Sequence, residues 1–193
     1  KTATAVTKKP IDSGFTAYTP NTGGDKVVAL TFDDGPWPNS TAEILKILEE
    51  NDAHATFFMI GNQVSENADI VKKLQAAGNQ LATHTYDHAA GSGQGVNLTY
   101  MSESEQINEV TKGISSIEDV TGTKISHILR APGGNYYGSL VETLHPYITA
   151  EIGWDVDTED WRRPGSDVIA QRIESVKPGE IILCHDGGGD RSQ

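Results

Sequence analysis

The sequence predicts an α/β fold in which a largely parallel sheet is covered by helices, either doubly wound or closed into a barrel. Three observations predict it. Short apolar, β-branched runs, about the length of buried strands, recur six or so times along the 193 residues. Segments with apolar residues at helical spacing separate them, the alternation expected of βα units. Five of the six runs end in ionisable residues, and in a barrel chemistry collects at the carboxyl ends of the strands.

Residues 1–24 are rich in Thr, Lys, Pro and Gly without periodicity and read as a linker or N-terminal arm, so the domain is placed at 25–193. The run 26–32, cut off by Asp33-Asp34-Gly35-Pro36, reads as a buried strand ending in a tight turn. A helix should follow, capped by Ser40 or Thr41, with Ile44, Leu45, Ile47 and Leu48 on one face. The segment 55–60 is the next strand, and 64–77 the next helix, ended by Gly78. A third strand at 80–83 precedes a Gly- and Ser-rich loop at 89–99. The strongest helix then opens with Ser102 and Glu105 at capping-box spacing, carries Ile107, Val110, Ile114 and Ile117 in one stripe and stops near Gly122. Further strands are expected at 127–130, 147–156 and 180–184, with helices at 139–144 and 166–176.

Composition narrows the function. With 27 acidic against 15 basic residues the formal charge is −12, and no Lys/Arg cluster interrupts that field, which argues against nucleic acid as a partner. One cysteine, Cys184, excludes an intrachain disulfide and a Cys-rich metal site, leaving His and carboxylate as metal ligands. No apolar run approaches the roughly 20 residues of a transmembrane helix, and no signal-peptide pattern starts at Lys1.

The strand ends carry the chemistry. They are Asp33-Asp34, His84-Thr85-Tyr86-Asp87-His88, Arg130, the run from Asp157 to Trp161, and His185-Asp186. Each has an ordinary explanation taken singly, since Asp-Gly is a common turn and surface His pairs are frequent. Placed together on one rim they form a candidate active site. On a helix or helical turn, His84 and His88 would face the same way and share one cation, and one carboxylate would complete the three-ligand set of an open catalytic site. A turn beginning at Asp33 lets Asp33 and Asp34 both face the rim, one on the metal and one beside it.

These residues resemble, in order and spacing, the five motifs of the polysaccharide deacetylases with the NodB homology domain, carbohydrate esterase family 4. The resemblance runs from about Lys26 to the end and rests on TFDDG at 31–35, HTYDH at 84–88, RAP at 130–132, DTEDW at 157–161 and LCH at 183–185. It implies a distorted (β/α) barrel of the NodB type that removes acetyl groups from a glycan with one divalent metal, zinc first and cobalt second. It also implies roles: Asp34, His84 and His88 as metal ligands, Asp33 as general base and Arg130 as its orienter. His185 would be the general acid, held by Asp160, and Trp161 and Leu183 would wall the acetyl methyl. The loop after Arg130 would offer an oxyanion donor. Gly133 stands there where many members have an aromatic residue, which keeps the backbone donor and removes a side-chain wall of the groove.

The resemblance implies N-deacetylation of N-acetylglucosamine units in peptidoglycan or chitin-like polymers, with an O-acetyl esterase on acetylxylan and an inactive glycan-binding module as rivals. Such substrates place the protein outside the cell or in its envelope. His54, His127 and His145 read as structural or surface residues. Cys184 should face away from the rim if His185 faces it. The residues from Asp186 to Gln193, mostly Gly and polar, cannot form a helix covering the last strand. The chain is therefore expected to be a fragment or cleaved piece of a longer domain, with the covering helix lost, disordered or present as a separate C-terminal fragment packed near residues 27–30, and otherwise a monomer.

Overall fold

A computed structural model describes residues 25–89 and 97–189. The expected arm at 1–24, most of the Gly/Ser-rich loop and the last four residues lie outside that range. The elements in chain order are β1 (Ala29–Asp33), α1 (Ser40–Glu50), β2 (Thr56–Met59), α2 (Gly61–Val64), α3 (Ala68–Ala76), β3 (Gln80–Thr83), α4 (Glu103–Thr121), β4 (Ile128–Leu129), α5 (Ser139–Leu144), β5 (Ala150–Glu151), β6 (Val156–Asp157), α6 (Ser166–Glu174) and β7 (Ile181–His185).

All strand pairs are parallel, in the order β5-β4-β3-β2-β1-β7-β6. Laid flat at about 4.8 Å per strand, a seven-stranded sheet would hold its edges about 29 Å apart. Its edges are β5 and β6, which only residues 152–155 connect, a reach of at most about 18 Å. The sheet therefore curls into the distorted barrel that the resemblance implies, which decides between the doubly wound and closed arrangements that the strand pattern alone leaves open. Strand alternation divides its residues: Phe32, Phe57, Met59, Leu81, Ile182 and Cys184 pack outward against Leu45, Leu48, Val71, Leu74 and Ile117 of the helices. Phe32 and Phe57 stack at 5.2 Å between ring centroids. A second core joins Val110 and Ile114 of α4 to Leu129, Leu140, Leu144 and Ile148.

Three elements differ from the sequence reading. The segment 147–156 forms β5 and β6 at opposite edges of the sheet, because residues 152–155 break away and turn the carbonyls of Ile152 and Gly153 toward the Arg130 side chain. The helix expected at 64–77 is split into α2 and α3. The amides of Gly61 and Asn62 donate to Thr85 and Tyr86 carbonyls, tying α2 to the loop after β3. Ser40 and Thr41 do not cap α1, whose N-cap is Asn39; their hydroxyls donate instead to the Asp186 carbonyl and carboxylate. Ile47, off the buried stripe of Thr41, Leu45 and Leu48, is 57% exposed. The capping box at Ser102–Glu105 and the left-handed Gly122 bound α4 as expected.

Candidate metal centre and active site

The carboxyl ends of β1, β3, β4 and β7, together with the loops after β5 and β6, close on one cavity of about 450 Å³. Asp33, Asp34, His84, His88, Gly133, Trp161, Leu183 and His185 line it. Arg130 and Asp160, both buried, bond to Asp33 and His185 respectively.

Asp33 is the last residue of β1, and simple alternation would send Asp34 to the opposite face. Asp34 adopts a left-handed backbone, φ 72°, which brings its carboxylate to the same cavity. Thr85 and His88 are left-handed too, φ 68° and 61°. The histidine pair therefore sits on a kinked turn and not on the helix or helical turn that the four-residue spacing suggests. Each such residue costs about 1 kcal/mol or more, strain that persists only where the surroundings enforce it.

One ligand atom each from Asp34, His84 and His88 falls within 4.8 Å of the other two. Asp34 Oδ1 lies 3.5 Å from His84 Nε2 and 3.1 Å from His88 Nε2, buried and without a hydrogen bond of good geometry. A buried carboxylate oxygen aimed between two imidazole nitrogens suits a shared divalent ion, and two His plus one carboxylate form a recognised donor set for catalytic zinc. His84 Nδ1–H donates to the Arg130 carbonyl at 2.8 Å, which leaves Nε2 free to ligate. Burial would raise the Asp34 pKa, but the contacts and charges of His84 and His88 hold it well below the usual carboxylate range. Burial would lower His84, yet Asp33 and Asp34 raise it.

Arg130 is fully buried and lies 4.2 Å from the Phe58 ring centroid. Its Nη1 donates to Asp33 Oδ1 and to Thr31 Oγ1, each at 2.7 Å, while Nε and Nη2 donate to the Ile152 and Gly153 carbonyls. That leaves Asp33 Oδ2, 3.8 Å from His84 Nε2, toward the cluster. Asp33 pairs in register with His185 on β7. His185 Nδ1–H donates to Asp160 Oδ1 at 2.7 Å, and Asp160 Oδ2 accepts the His185 amide, also at 2.7 Å. Burial would lower the His185 pKa, but the bond and charge of Asp160, with Asp34 and Asp33 beyond, raise it.

The other histidines lie apart from this set: His54 and His145 are exposed, and His127 pairs with Glu118. Cys184 faces the core, and burial pushes its thiol up to about 12, so it is no nucleophile at neutral pH. Sequence reasoning missed Trp154, which lines the cavity, and Glu151, a half-buried acid near it; it places Asp186, which is buried, at the end of the last strand but gives it no role. Burial pushes each up to about 7, offset in part by the Ala131 amide and Arg130 for Glu151 and by the Thr41 hydroxyl for Asp186. Glu151 belongs to no spacing that announces a site, whereas Asp186 follows His185 at a strand end.

The family model for polysaccharide deacetylase matches residues 20–147. The peptidoglycan-N-acetylglucosamine deacetylase of Bacillus cereus is 35% identical over 88% of this chain and 76% of its own. The chitooligosaccharide deacetylase of a Bradyrhizobium species is 32% identical over the same shares. Among solved structures, a family 4 carbohydrate esterase from Streptomyces lividans, in complex with acetate, superposes with a TM-score of 0.77 at 29% identity, covering 86% of this chain and 82% of that one.

Proposed function

Because the chain belongs to the polysaccharide deacetylase family, we propose that it hydrolyses the N-acetyl groups of N-acetylglucosamine units in peptidoglycan or chitin-like glycans, using one divalent metal. The observation that carries the reading is the pairing of two proton-handling groups, Asp33 on Arg130 and His185 on Asp160, in one cavity with the three-ligand cluster.

Asp34, His84 and His88 would hold the ion, zinc first and cobalt as an alternative, which would polarise the acetyl carbonyl and lower the pKa of water toward about 7. Arg130 engages Asp33 Oδ1, so Oδ2 is the atom that takes the proton of the attacking water. His185 Nδ1 is committed to Asp160, so Nε2 delivers the proton to the departing amine nitrogen. Asp160 favours the charged imidazolium that this step requires. A backbone N–H of the turn Pro132–Gly134 donates to the acetyl oxygen as it gains charge, a contact worth on the order of 3 kcal/mol in comparable sites. Leu183 and the half-exposed Trp161 wall the methyl group and favour acetyl over longer acyl chains. Relatives acting on peptidoglycan and chitooligosaccharides support work in the envelope or outside the cell. Among the described residues no helix is long and apolar enough to cross a membrane.

The test is acetate release from N-acetylglucosamine oligomers, peptidoglycan and acetylxylan, with chelator and with added Zn²⁺. Zinc-dependent release from the amide substrates supports the reading. Release from acetylxylan alone would make the protein an esterase, and glycan binding without release would make it an inactive module.

A further inference from the structure

The geometry points to Glu109, on the buried stripe of α4, as the positioning residue that shapes the metal-binding turn between His84 and His88. This rests on the proposed metal site. Both imidazoles reach one point only because the chain reverses over four residues, with Thr85 and His88 in left-handed conformation. A turn so constrained needs its own polar groups held. Its carbonyls are held from one side, where Thr85 and Tyr86 accept from the Gly61 and Asn62 amides at 2.9 and 2.8 Å. Its amides are held from the other. Tyr86 N–H and Asp87 N–H both donate to a single oxygen, Glu109 Oε2, each at 3.1 Å.

Glu109 is 8% exposed, although glutamate on a helix ordinarily faces water. Its neighbours on α4 show why it points inward. A Cβ on Gly113, one turn along, would lie 2.3 Å from Thr83 Oγ1 and 3.0 Å from the Thr85 carbonyl carbon, so the missing side chain lets the helix press against the turn. Lys112 Nζ sits 3.6 Å from the Tyr86 ring centroid, covering the turn from the same helix. A carboxylate oxygen accepting two successive amides holds the local backbone with charge-assisted bonds, stronger than those a neutral amide oxygen in the same place would make. Glu109 touches neither the cavity lining nor the candidate ligand atoms; it acts through the backbone that carries His88. Groups hydrogen-bonded directly to metal ligands typically change metal affinity by 10- to 100-fold, roughly, when altered, which sets the upper range for one that acts through the turn's backbone.

The experiment is zinc titration calorimetry on metal-free full-length chain, alongside urea denaturation of the same metal-free proteins. Glu109→Gln keeps the shape and loses the charge; it should weaken Zn²⁺ binding about 10-fold or more, and saturating zinc should return kcat to within about twofold of the parent. Lys112→Met, which alters the same helix and leaves the two amide bonds, should bind zinc as the parent does. Should Glu109→Gln fail to fold, Glu109→Asp retains the charge with a shorter reach and should show a smaller loss of affinity. Parent-like zinc affinity in a folded Gln or Asp variant overturns the inference, as does an equal loss in Lys112→Met. A parent chain that binds no zinc would instead overturn the metal reading on which it stands.

Discussion

Asp160→Asn separates a general acid from a histidine that merely binds substrate. Asp160 contacts His185 twice, at Nδ1 and at the main-chain amide, both at 2.7 Å, and the two side chains are only 11% and 14% exposed. Opposite unit charges about 4 Å apart, in the effective dielectric near 20 typical of such sites, attract by about 4 kcal/mol. At 1.36 kcal/mol per tenfold change in dissociation, this sets a ceiling of about three pH units on what the carboxylate adds to His185. Asparagine keeps an oxygen for the amide and loses the charge, so the alkaline limb of the kcat/KM profile should move down by about one to two pH units. The sign follows from the proposed role: as general acid His185 would have to carry its proton to release the amine, and without Asp160 it would lose that proton at lower pH. The assay is the initial rate of acetate release from an N-acetylglucosamine oligomer, with saturating zinc, from about pH 5 to about pH 10. An O-acetyl substrate, whose leaving group needs less protonation, should lose less. A uniform fall in rate with an unmoved alkaline limb, equal for ester and amide, would refute the acid role.

His84→Ala should abolish zinc binding and acetate release together, while Asp33→Asn keeps the zinc and loses about 10²-fold or more in kcat; elemental analysis beside the rate assay distinguishes them. Loss of zinc in Asp33→Asn equal to that in Asp34→Asn would mean that the two aspartates exchange roles. Arg130→Met leaves the Asp33 carboxylate buried without its cation, a change that costs about 3–5 kcal/mol in comparable pairs and should appear as a lower urea midpoint. Glu151 is an acid whose folded pKa is raised from 4.5 to about 7. Its neutral form contributes stability that is fully present below about pH 4.5 and lost as pH rises toward 7, on the order of 3 kcal/mol. Glu151→Gln should therefore flatten that part of the stability curve, as read from urea midpoints at acid and mildly alkaline pH, and an unchanged slope would show that Glu151 ionises as it would in water.

The strand ends were legible in the sequence because a buried parallel strand must be apolar until it leaves the core, so the first ionisable residue marks its end. Asp33, His84, Arg130 and His185 stand out for that reason. What is physically diffuse was not legible. Glu109 lies in a stripe of Gln106, Val110, Gly113, Ile114 and Ile117, and the only trace of its function is a carboxylate at a buried helical position. The stretch 147–156 has the composition of one strand, yet its middle is taken by a guanidinium that needs two carbonyls, a demand arising from a residue over twenty positions earlier in the chain. The spacing of His84 and His88 suits a helix, and only the left-handed φ angles reveal a turn with the same convergence.

The glycines in these motifs answer to packing as much as to turn geometry, which bears on how the two aspartates come to face different partners. A Cβ on Gly35 would lie 2.1 Å from Asp186 Oδ2, and one on Gly187 would lie 1.9 Å from the Asp34 carbonyl oxygen. The end of β7 therefore lies against the turn that follows β1, with the Asp186 amide donating to the Asp33 carbonyl at 3.0 Å. Asp186 also accepts from Thr41 at 2.6 Å, and Thr41 in turn accepts the Trp37 amide, so the turn is held from β7 and from α1 at once. Within this clamp Asp33 keeps strand geometry and faces Arg130, whereas Asp34 is rotated into left-handed backbone and faces the histidines. Two chemically identical side chains, adjacent in sequence, thus meet a guanidinium in one case and a pair of imidazoles in the other. Gly35→Ala and Gly187→Ala should damage the site without touching its lining: the added methyl must displace either Asp186 or the Asp34 backbone, so zinc affinity should fall together with stability. Retention of both by either alanine variant would show that the clamp yields, and that something other than this contact fixes the Asp34 conformation.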